Sequence, residues 1–186
     1  MKLKFGLRLR VWVHYPNGKK KKIIDRRSRS YVSAFITNVR GSWSNTPQTI
    51  KDTGGTNRSY YGNNQLNAGL GDTTYGIVIG NGFSDVIPAD YALANKYTSG
   101  VGSGQMTYSK QNWTPFNTGI SNKRSFELYR YFGNSYSFPQ VVRECGIYVK
   151  QAGASIYYCF VRDLLGAIEI PPNGGISINY TPEITI

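Results

Sequence analysis

The sequence has few of the residues from which catalytic and metal sites are usually built. It contains one histidine, His14, and two cysteines, Cys145 and Cys159. A hydrolase or transferase usually takes its general base from histidine, and a zinc site needs three or four Cys, His or carboxylate ligands at matched spacing. The glycine-rich phosphate loops G-x-x-x-x-G-K-[ST] and G-x-G-x-x-G are also missing. We therefore predict a non-enzymatic protein that uses no metal and no cofactor, and we expect His14 to be structural.

Long apolar runs are missing as well. No stretch is long enough to span a bilayer, so we expect no membrane partner. The N-terminus is charged like the start of a signal peptide, but Arg8 and Arg10 stand where its apolar core would have to follow. We therefore expect no export signal and place synthesis in a cytoplasm.

Acidic residues are scarce at the N-terminus. Residues 1–40 hold twelve Lys and Arg against Asp25 alone, which accounts for +11 of the net charge of +12. The other 146 residues are close to neutral. A localised charge of this size points to a localised electrostatic contact.

Alternating residues mark the first strand. In "KLKFGLRLRVWVHY", every odd-numbered residue from Leu3 to Tyr15 is apolar, and the even positions include Arg8, Arg10, Trp12 and His14. In a β-strand this period of two places the apolar side chains on one face and the charged ones on the other. The strand should therefore pack on a sheet and present a basic face.

The rest of the chain favours an all-β fold. Gly, Tyr, Asn, Ser and Thr are abundant, Tyr alone accounts for 15 residues, and short strand patterns alternate with turn signals. We predict a β-sandwich of jelly-roll type, with a barrel as second choice. One short helix is expected near residues 28–39, with Val32, Phe35, Ile36 and Val39 as its apolar stripe and Ser28 or Ser30 as N-cap. Long loops should fill 41–74. We divide the chain into a basic assembly arm, 1–40, and a sandwich body, 41–186.

Two further patterns bear on chemistry. The pairs Asp85 with Asp90 and Glu144 with Asp163 would suit a glycosidase, but neighbouring arginines favour ordinary charge pairing. A three-residue hairpin turn at 151–153 would put Cys145 opposite Cys159. The sequence leaves their bonding open, and two buried free cysteines is the favoured interpretation because directly opposed strand positions strain a disulfide.

The basic residues are the leading candidates for a binding site. They are Arg8, Arg10, Lys19, Lys20, Lys21, Lys22, Arg26, Arg27 and Arg29. Cations in this number suit nucleic-acid phosphate or an acidic neighbouring subunit, whereas a bland interpretation makes them a solvated edge that prevents strand pairing between molecules. No helix-turn-helix or zinc-finger pattern is visible, so contact with nucleic acid should be non-specific and sensitive to salt.

A series of motifs resembles virion structural proteins of tailed bacteriophages and related viruses. The pieces are "RSRSYVSAFITNV", then "YGIVIGNG", "DYALANKYTSG", "GQMTYS", "RSFELYRYFGNS", "VVRECGIYV" and "FVRDLLGAIEIPPNGGISINYTPEITI", covering residues 26–39 and 75–186. The resemblance implies a non-enzymatic subunit of a capsid, decoration, connector or tail that acts through contacts with its own copies and other virion subunits. It implies residence in the virion after assembly in the host cytoplasm.

Two other functions remain open from the sequence. One is a non-specific nucleic-acid-binding protein in which Tyr and Arg of "ELYRYF" form a stacking surface. The other is a carbohydrate-binding or adhesive sandwich in which Trp12, Trp43 and Trp113 line a sugar site.

Overall fold

Strands dominate the computed structural model of the protein, which describes residues 4–28, 31–44, 47–60, 62–115 and 123–185. The first elements are β1 (Lys4–His14), β2 (Lys20–Arg27), α1 (Ser33–Ser44), β3 (Gln48–Lys51), β4 (Asn57–Tyr60), β5 (Asn64–Gln65) and β6 (Gly76–Gly80). They are followed by β7 (Thr98–Ser99), β8 (Gln105–Tyr108), β9 (Asn112–Trp113), β10 (Lys123–Ser125) and β11 (Leu128–Gly133). The last three strands are long: β12 (Gln140–Gln151), β13 (Tyr157–Ile170) and β14 (Gly175–Thr185).

Two sheets form the layers of the fold. The larger has eight strands in the order β2-β1-β14-β11-β8-β7, with β10 beside β14 and β9 beside β11. The smaller has the order β13-β12-β5, with β6 on β12, and β3 and β4 form a separate pair. In the larger sheet β1 is antiparallel to β14 along its whole length, from Lys4 opposite Thr185 to His14 opposite Gly175. The N-terminal strand and the last described strand thus lie side by side.

One hydrophobic core lies between the sheets. The alternation read in β1 is realised, because Leu7, Leu9, Val11 and Val13 are buried in the same cluster as residues of β6, β12, β13 and β14. The predicted all-β, sandwich-like fold with one short helix is confirmed for the described residues. The predicted division into 1–40 and 41–186 does not separate two cores, since β1 contributes to the core that the rest of the chain builds.

The helix lies near its predicted place but turns a different face to the core. It begins at Ser33, and Ile36 of the predicted stripe is 64% exposed while Asn38 is buried. Of the predicted N-caps, Ser28 does not cap the helix, because its hydroxyl donates to Asp163 over 2.7 Å; Ser30 lies outside the described residues. The chain is tied to β13 immediately before the helix, where the Val32 amide donates to the Phe160 carbonyl, and this tie fixes the rotation of α1.

The two cysteines are not opposite one another. Cys159 lies opposite Tyr148, and Cys145 lies opposite Asp163. The hairpin between β12 and β13 is wider than three residues, because the last pair joins Lys150 to Tyr157 and the Gln151 amide donates to the Ile156 carbonyl. Both cysteines are free and buried, in line with the favoured interpretation.

Candidate binding face

Most of the predicted cations lie on one face of the larger sheet. β2 pairs with β1 with one register irregularity, and the register places Lys20 beside His14, Lys22 beside Trp12 and Arg27 beside Arg8. Together with the outward side chains of β1, β14 and β11, these three cations form what we call the outer face. Lys19 is exposed in the turn before β2, and Lys21 is exposed but lies beside Val13, on the opposite side of the strand from Lys20 and Lys22.

Two further predicted cations stand apart from the outer face. Arg26 lies beside Leu9, on the inner side of the strand, where it donates to the Leu164 carbonyl over 2.8 Å and pairs with Asp163 at 3.3 Å. Arg26 therefore holds β2 to β13. Arg29 lies outside the described residues.

Asp25 neutralises part of the basic cluster. Arg8 Nε donates to its carboxylate over 2.5 Å, and Lys22 Nζ donates over 2.9 Å. These hydrogen bonds, first from Arg8 and then from Lys22, hold the pKa of Asp25 well below its usual range. Among the described residues, Lys19, Lys20, Lys21 and Arg27 have no ion-pair partner. The outer face thus keeps a surplus of positive charge.

A groove runs along β14 on this face. Two rows cross the sheet: Trp12, Ser177 and Tyr131, then Arg10, Asn179 and Tyr129. The middle residue of each row is short and the outer ones are long, so the side chains of β1 and β11 stand as walls over a low floor. Their backbones are separated by two strand spacings, which is about 10 Å.

The groove has two consecutive parts. The first has a volume of about 460 Å³ and is lined by Trp12 and Lys20 on one wall, Thr114 and Tyr129 on the other, and Ser177 and Asn179 on the floor. The second, about 310 Å³, lies over Thr181, with Lys123 and Pro115 at its rim. Arg10 and Glu127 line both parts, so they stand at the junction.

An ion pair crosses the groove at this junction. Arg10 Nη1 donates to Glu127 Oε1 over 2.6 Å, and Asn179 Nδ2 donates to the other carboxylate oxygen over 3.2 Å. Both charged side chains are about 30% exposed, 27% for Arg10 and 31% for Glu127. A partly exposed pair of this kind contributes little to stability. What matters for the groove is that the pair lies across it.

Aromatic rings border the first part of the groove. Lys20 Nζ lies 5.2 Å from the centre of the Trp12 ring, and Tyr129 and Tyr131 are each 38% exposed. Tyr131 meets the His14 ring edge to face at 5.3 Å. Gly175 makes room for it, since a Cβ there would lie 2.2 Å from the Tyr131 hydroxyl oxygen. His14 Nε2 is 2.7 Å from Ser177 Oγ, and its pKa is lowered by burial and by nearby Lys20.

The floor of the second part carries an unsatisfied hydroxyl. Thr181 is 5% exposed, and its Oγ1 is the one buried side-chain oxygen or nitrogen in the described ranges that has no hydrogen-bond partner. Buried polar groups are nearly always hydrogen-bonded, so this hydroxyl is an exception in the described ranges. The groove is therefore polar and incompletely satisfied at its base.

Three of the four carboxylates in the predicted pairs belong to hydrogen-bonded networks in the interior, and the fourth, Asp85, is exposed. Glu144 accepts from Arg162 Nε over 2.9 Å, and Arg162 Nη1 donates to Asp90 over 2.8 Å. Asp163 accepts from Ser28 and from the Tyr180 hydroxyl. Charge pairing was expected for these carboxylates, but not with their chain neighbours: Glu144 pairs with Arg162 rather than Arg143, and Asp163 pairs with Arg26 rather than Arg162.

Three motifs of the series that resembles virion structural proteins meet at Glu144. Its carboxylate also accepts from the backbone amides of Gly82, Ala94 and Asn95, at 2.8–3.1 Å. The pieces "DYAL", "REC" and "VRD" thus meet in one network that fastens the 81–95 loop to β12 and β13. The order of these pieces along the sequence gave no sign that they touch.

The two alternative surfaces expected from the sequence are found only in part. Arg130 of "ELYRYF" is fully buried and donates to five backbone carbonyls, among them those of Ser109 and Ile77, so the strand presents Tyr129 and Tyr131 on the outer face but not its arginine. Trp12 and Trp113 do not come together: Trp113 stacks on Phe126 at an apolar cleft, and Trp12 borders the groove. The Trp43 side chain lies outside the described residues.

Comparisons with known proteins identify no family. No protein-family model, no curated protein and no solved structure matches the chain. No helix in the described ranges combines the length and apolar character that crossing a membrane requires. The same ranges contain no group of three or more His, Cys, Asp or Glu side chains placed to hold a metal ion.

Proposed function

We propose that the protein is a non-enzymatic structural subunit of a virion and that it acts through contacts made by the outer face. Its partners are copies of itself, other virion subunits, and either nucleic acid or an acidic neighbouring subunit. It takes its place in the virion after assembly in the host cytoplasm. The resemblance of the motif series supports the virion setting, and the placement of charge supports the contact surface.

The placement of charge is the observation that carries the proposal. Lys20 and Arg27 lack ion-pair partners in the described ranges and lie at one edge of a grooved face, and the unpaired Lys19 and Lys21 add positive charge along the same hairpin. The buried charged groups, by contrast, are occupied with one another or with backbone. Charge used in the interior stabilises the fold, and charge left on the surface is available to a partner.

Electron microscopy of the purified chain tests the proposal directly. We expect defined oligomers, rings or tubes at high protein concentration, and a preparation that stays monomeric at every concentration contradicts the structural role. A double variant, Lys20→Glu with Lys22→Glu, should abolish assembly or the retention of co-purifying nucleic acid.

A matched double variant controls for charge alone. Lys51 and Lys150 each place Nζ over a tyrosine ring, at 5.3 and 5.7 Å, much as Lys20 does over Trp12, but they lie on β3 and β12, outside the larger sheet. Lys51→Glu with Lys150→Glu changes the net charge by the same amount. We expect it to assemble like the unmodified protein, and circular dichroism should show both variants folded.

A further inference from the structure

We infer that the groove over β14 binds single-stranded nucleic acid, with bases stacked on Trp12 and Tyr129 and phosphates held by the cations of β2. This inference rests on the proposed function, because it names the partner of the outer face. It goes further in choosing nucleic acid over an acidic protein and a single strand over a duplex.

The combination of rings and cations decides between the partner classes. An acidic protein surface would need only the lysines, and it would leave Trp12 and Tyr129 without a planar group to stack on. A neutral sugar would use the rings but not the unpaired charge of Lys20 and Arg27. Single-stranded nucleic acid has both a phosphate backbone and exposed base faces, and proteins bind it with basic grooves bordered by aromatic side chains.

The dimensions of the groove favour one strand over two. Its walls rise from backbones about 10 Å apart, which admits one row of bases. The bases of a duplex are paired and stacked in its interior, so their faces cannot reach the rings.

Polar groups of the floor match the edges of bases and sugars. Ser177 and Asn179 lie beneath the first part of the groove, and Thr114 and Ser125 line the second. The Arg10 to Glu127 ion pair lies between the two parts. Glu127 is neutralised by Arg10 and so does not repel a phosphate strongly.

Fluorescence anisotropy with a labelled oligothymidylate of about 12 nucleotides tests the inference, since this length spans a typical single-strand site. The comparison probes are an abasic strand of the same length and charge, a duplex of the same length, polyglutamate and a neutral oligosaccharide. We expect the oligothymidylate to bind at least about ten-fold more tightly than the abasic strand, because stacking on aromatic side chains adds to the charge attraction.

Variants separate stacking from charge. Trp12→Ala and Tyr129→Ala should each weaken oligothymidylate binding at least about five-fold, while Trp12→Phe, which keeps a ring, should largely restore it. Lys20→Gln should lower the slope of log K against log salt by about 0.7, the value for one phosphate contact on a single strand. The controls are Tyr91→Ala, at a tyrosine of similar exposure on a loop, and Lys51→Gln; neither should change binding.

Distinct results overturn the inference. Equal affinity for the abasic strand, the duplex or polyglutamate means that charge alone acts, and salt-insensitive binding of the oligosaccharide means a sugar site. Either result leaves the structural role standing if the protein still assembles. Conversely, a chain that binds oligothymidylate as described but never assembles overturns the structural role and leaves the groove assignment intact.

Discussion

Arg162 and Glu144 form a buried ion pair between β13 and β12, with Arg162 Nε donating to Glu144 Oε2 over 2.9 Å. The side chains are 2% and 0% exposed. The pair does more than neutralise two charges, because Glu144 also receives three backbone amides of the 81–95 loop and Arg162 reaches Asp90 within it. These contacts tie a connection with little regular structure to both β12 and β13.

Removal of Glu144 should therefore release this loop and destabilise the fold. Glu144→Ala leaves the buried Arg162 with Asp90 as its one remaining carboxylate and takes the acceptor away from three backbone amides, which together costs about 3–5 kcal/mol of unfolding free energy. Urea denaturation measures the loss, and hydrogen exchange at the Gly82, Ala94 and Asn95 amides should quicken. Glu169→Ala, at an exposed position on β13, should stay within about 0.5 kcal/mol of the unmodified protein. Equal effects from the two substitutions would refute the role given to Glu144.

Deletion of residues 1–25 should unfold the remaining chain. The deletion removes β1 with Leu7, Leu9, Val11 and Val13, all at most 3% exposed. Burial of each such side chain contributes about 1.5–3 kcal/mol, and the sum is comparable to the whole stability of a typical domain. Circular dichroism and thermal melting measure the outcome. A truncated chain that melts cooperatively would show that residues 1–25 are a separable arm after all.

Gly146 should tolerate no side chain. A Cβ at this position on β12 would lie 2.5 Å from the Val161 carbonyl oxygen and 3.2 Å from Leu93. Backbone cannot move aside as a flexible side chain can, so Gly146→Ala should cost about 1–3 kcal/mol. Gly69→Ala is the control because a Cβ at Gly69 would meet no atom within 4 Å, and the melting temperature of that variant should be unchanged or slightly higher. If Gly146→Ala left the melting temperature unchanged, β12 and β13 would not lie as close together at Gly146 as the structure places them.

His14 should titrate below the ordinary histidine pKa of about 6.5. Burial is the main cause of the lowered pKa, and the charge of Lys20 is the second. Since the unfolded chain then binds a proton more readily than the folded one, stability should fall as the pH drops below the unfolded pKa. The sequence has one histidine, so its ring signals in proton NMR report the pKa without assignment. Lys20→Gln should raise that pKa and Lys51→Gln should not; the reverse order would contradict the placement of Lys20.

Cys145 and Cys159 should be unreactive until the protein unfolds. Burial raises the pKa of both thiols, so the reactive thiolate is scarce at neutral pH. A thiol-specific disulfide reagent should react slowly with the folded chain and titrate two thiols per chain in urea without reductant. No thiols under those conditions would mean that the cysteines are joined.

The sequence predicted correctly the features that depend on a single strand. The period of two in β1 predicted its buried and basic faces, since that pattern depends on local geometry alone. The helix rotation depended on a tie between Val32 and β13, and the offset of Cys145 from Cys159 on the register irregularities within the hairpin. Neither is visible in a period or a spacing.

The groove was only half visible from the sequence. Its cations were identified from charge counting, but Tyr129 and Trp12 are 117 positions apart and become neighbours only through β14. Buried arginines were missed for a different reason: Arg130 and Arg162 are charged residues in strands, and composition assigns such residues to the surface. The alternation around Tyr129 and Tyr131, which places Arg130 on the opposite face, was the available signal.

The position of β1 between β2 and β14 constrains how the protein is made. The ribosome releases β1 first, yet its partner β14 emerges only after some 160 further residues have been added. Until then the apolar side of β1 has no completed sheet to join, and the β1–β2 hairpin offers an open edge to other nascent chains. Pairings of such long range slow folding. The dense positive charge of β2 lies on this same hairpin, and like charges on exposed edges oppose pairing between chains.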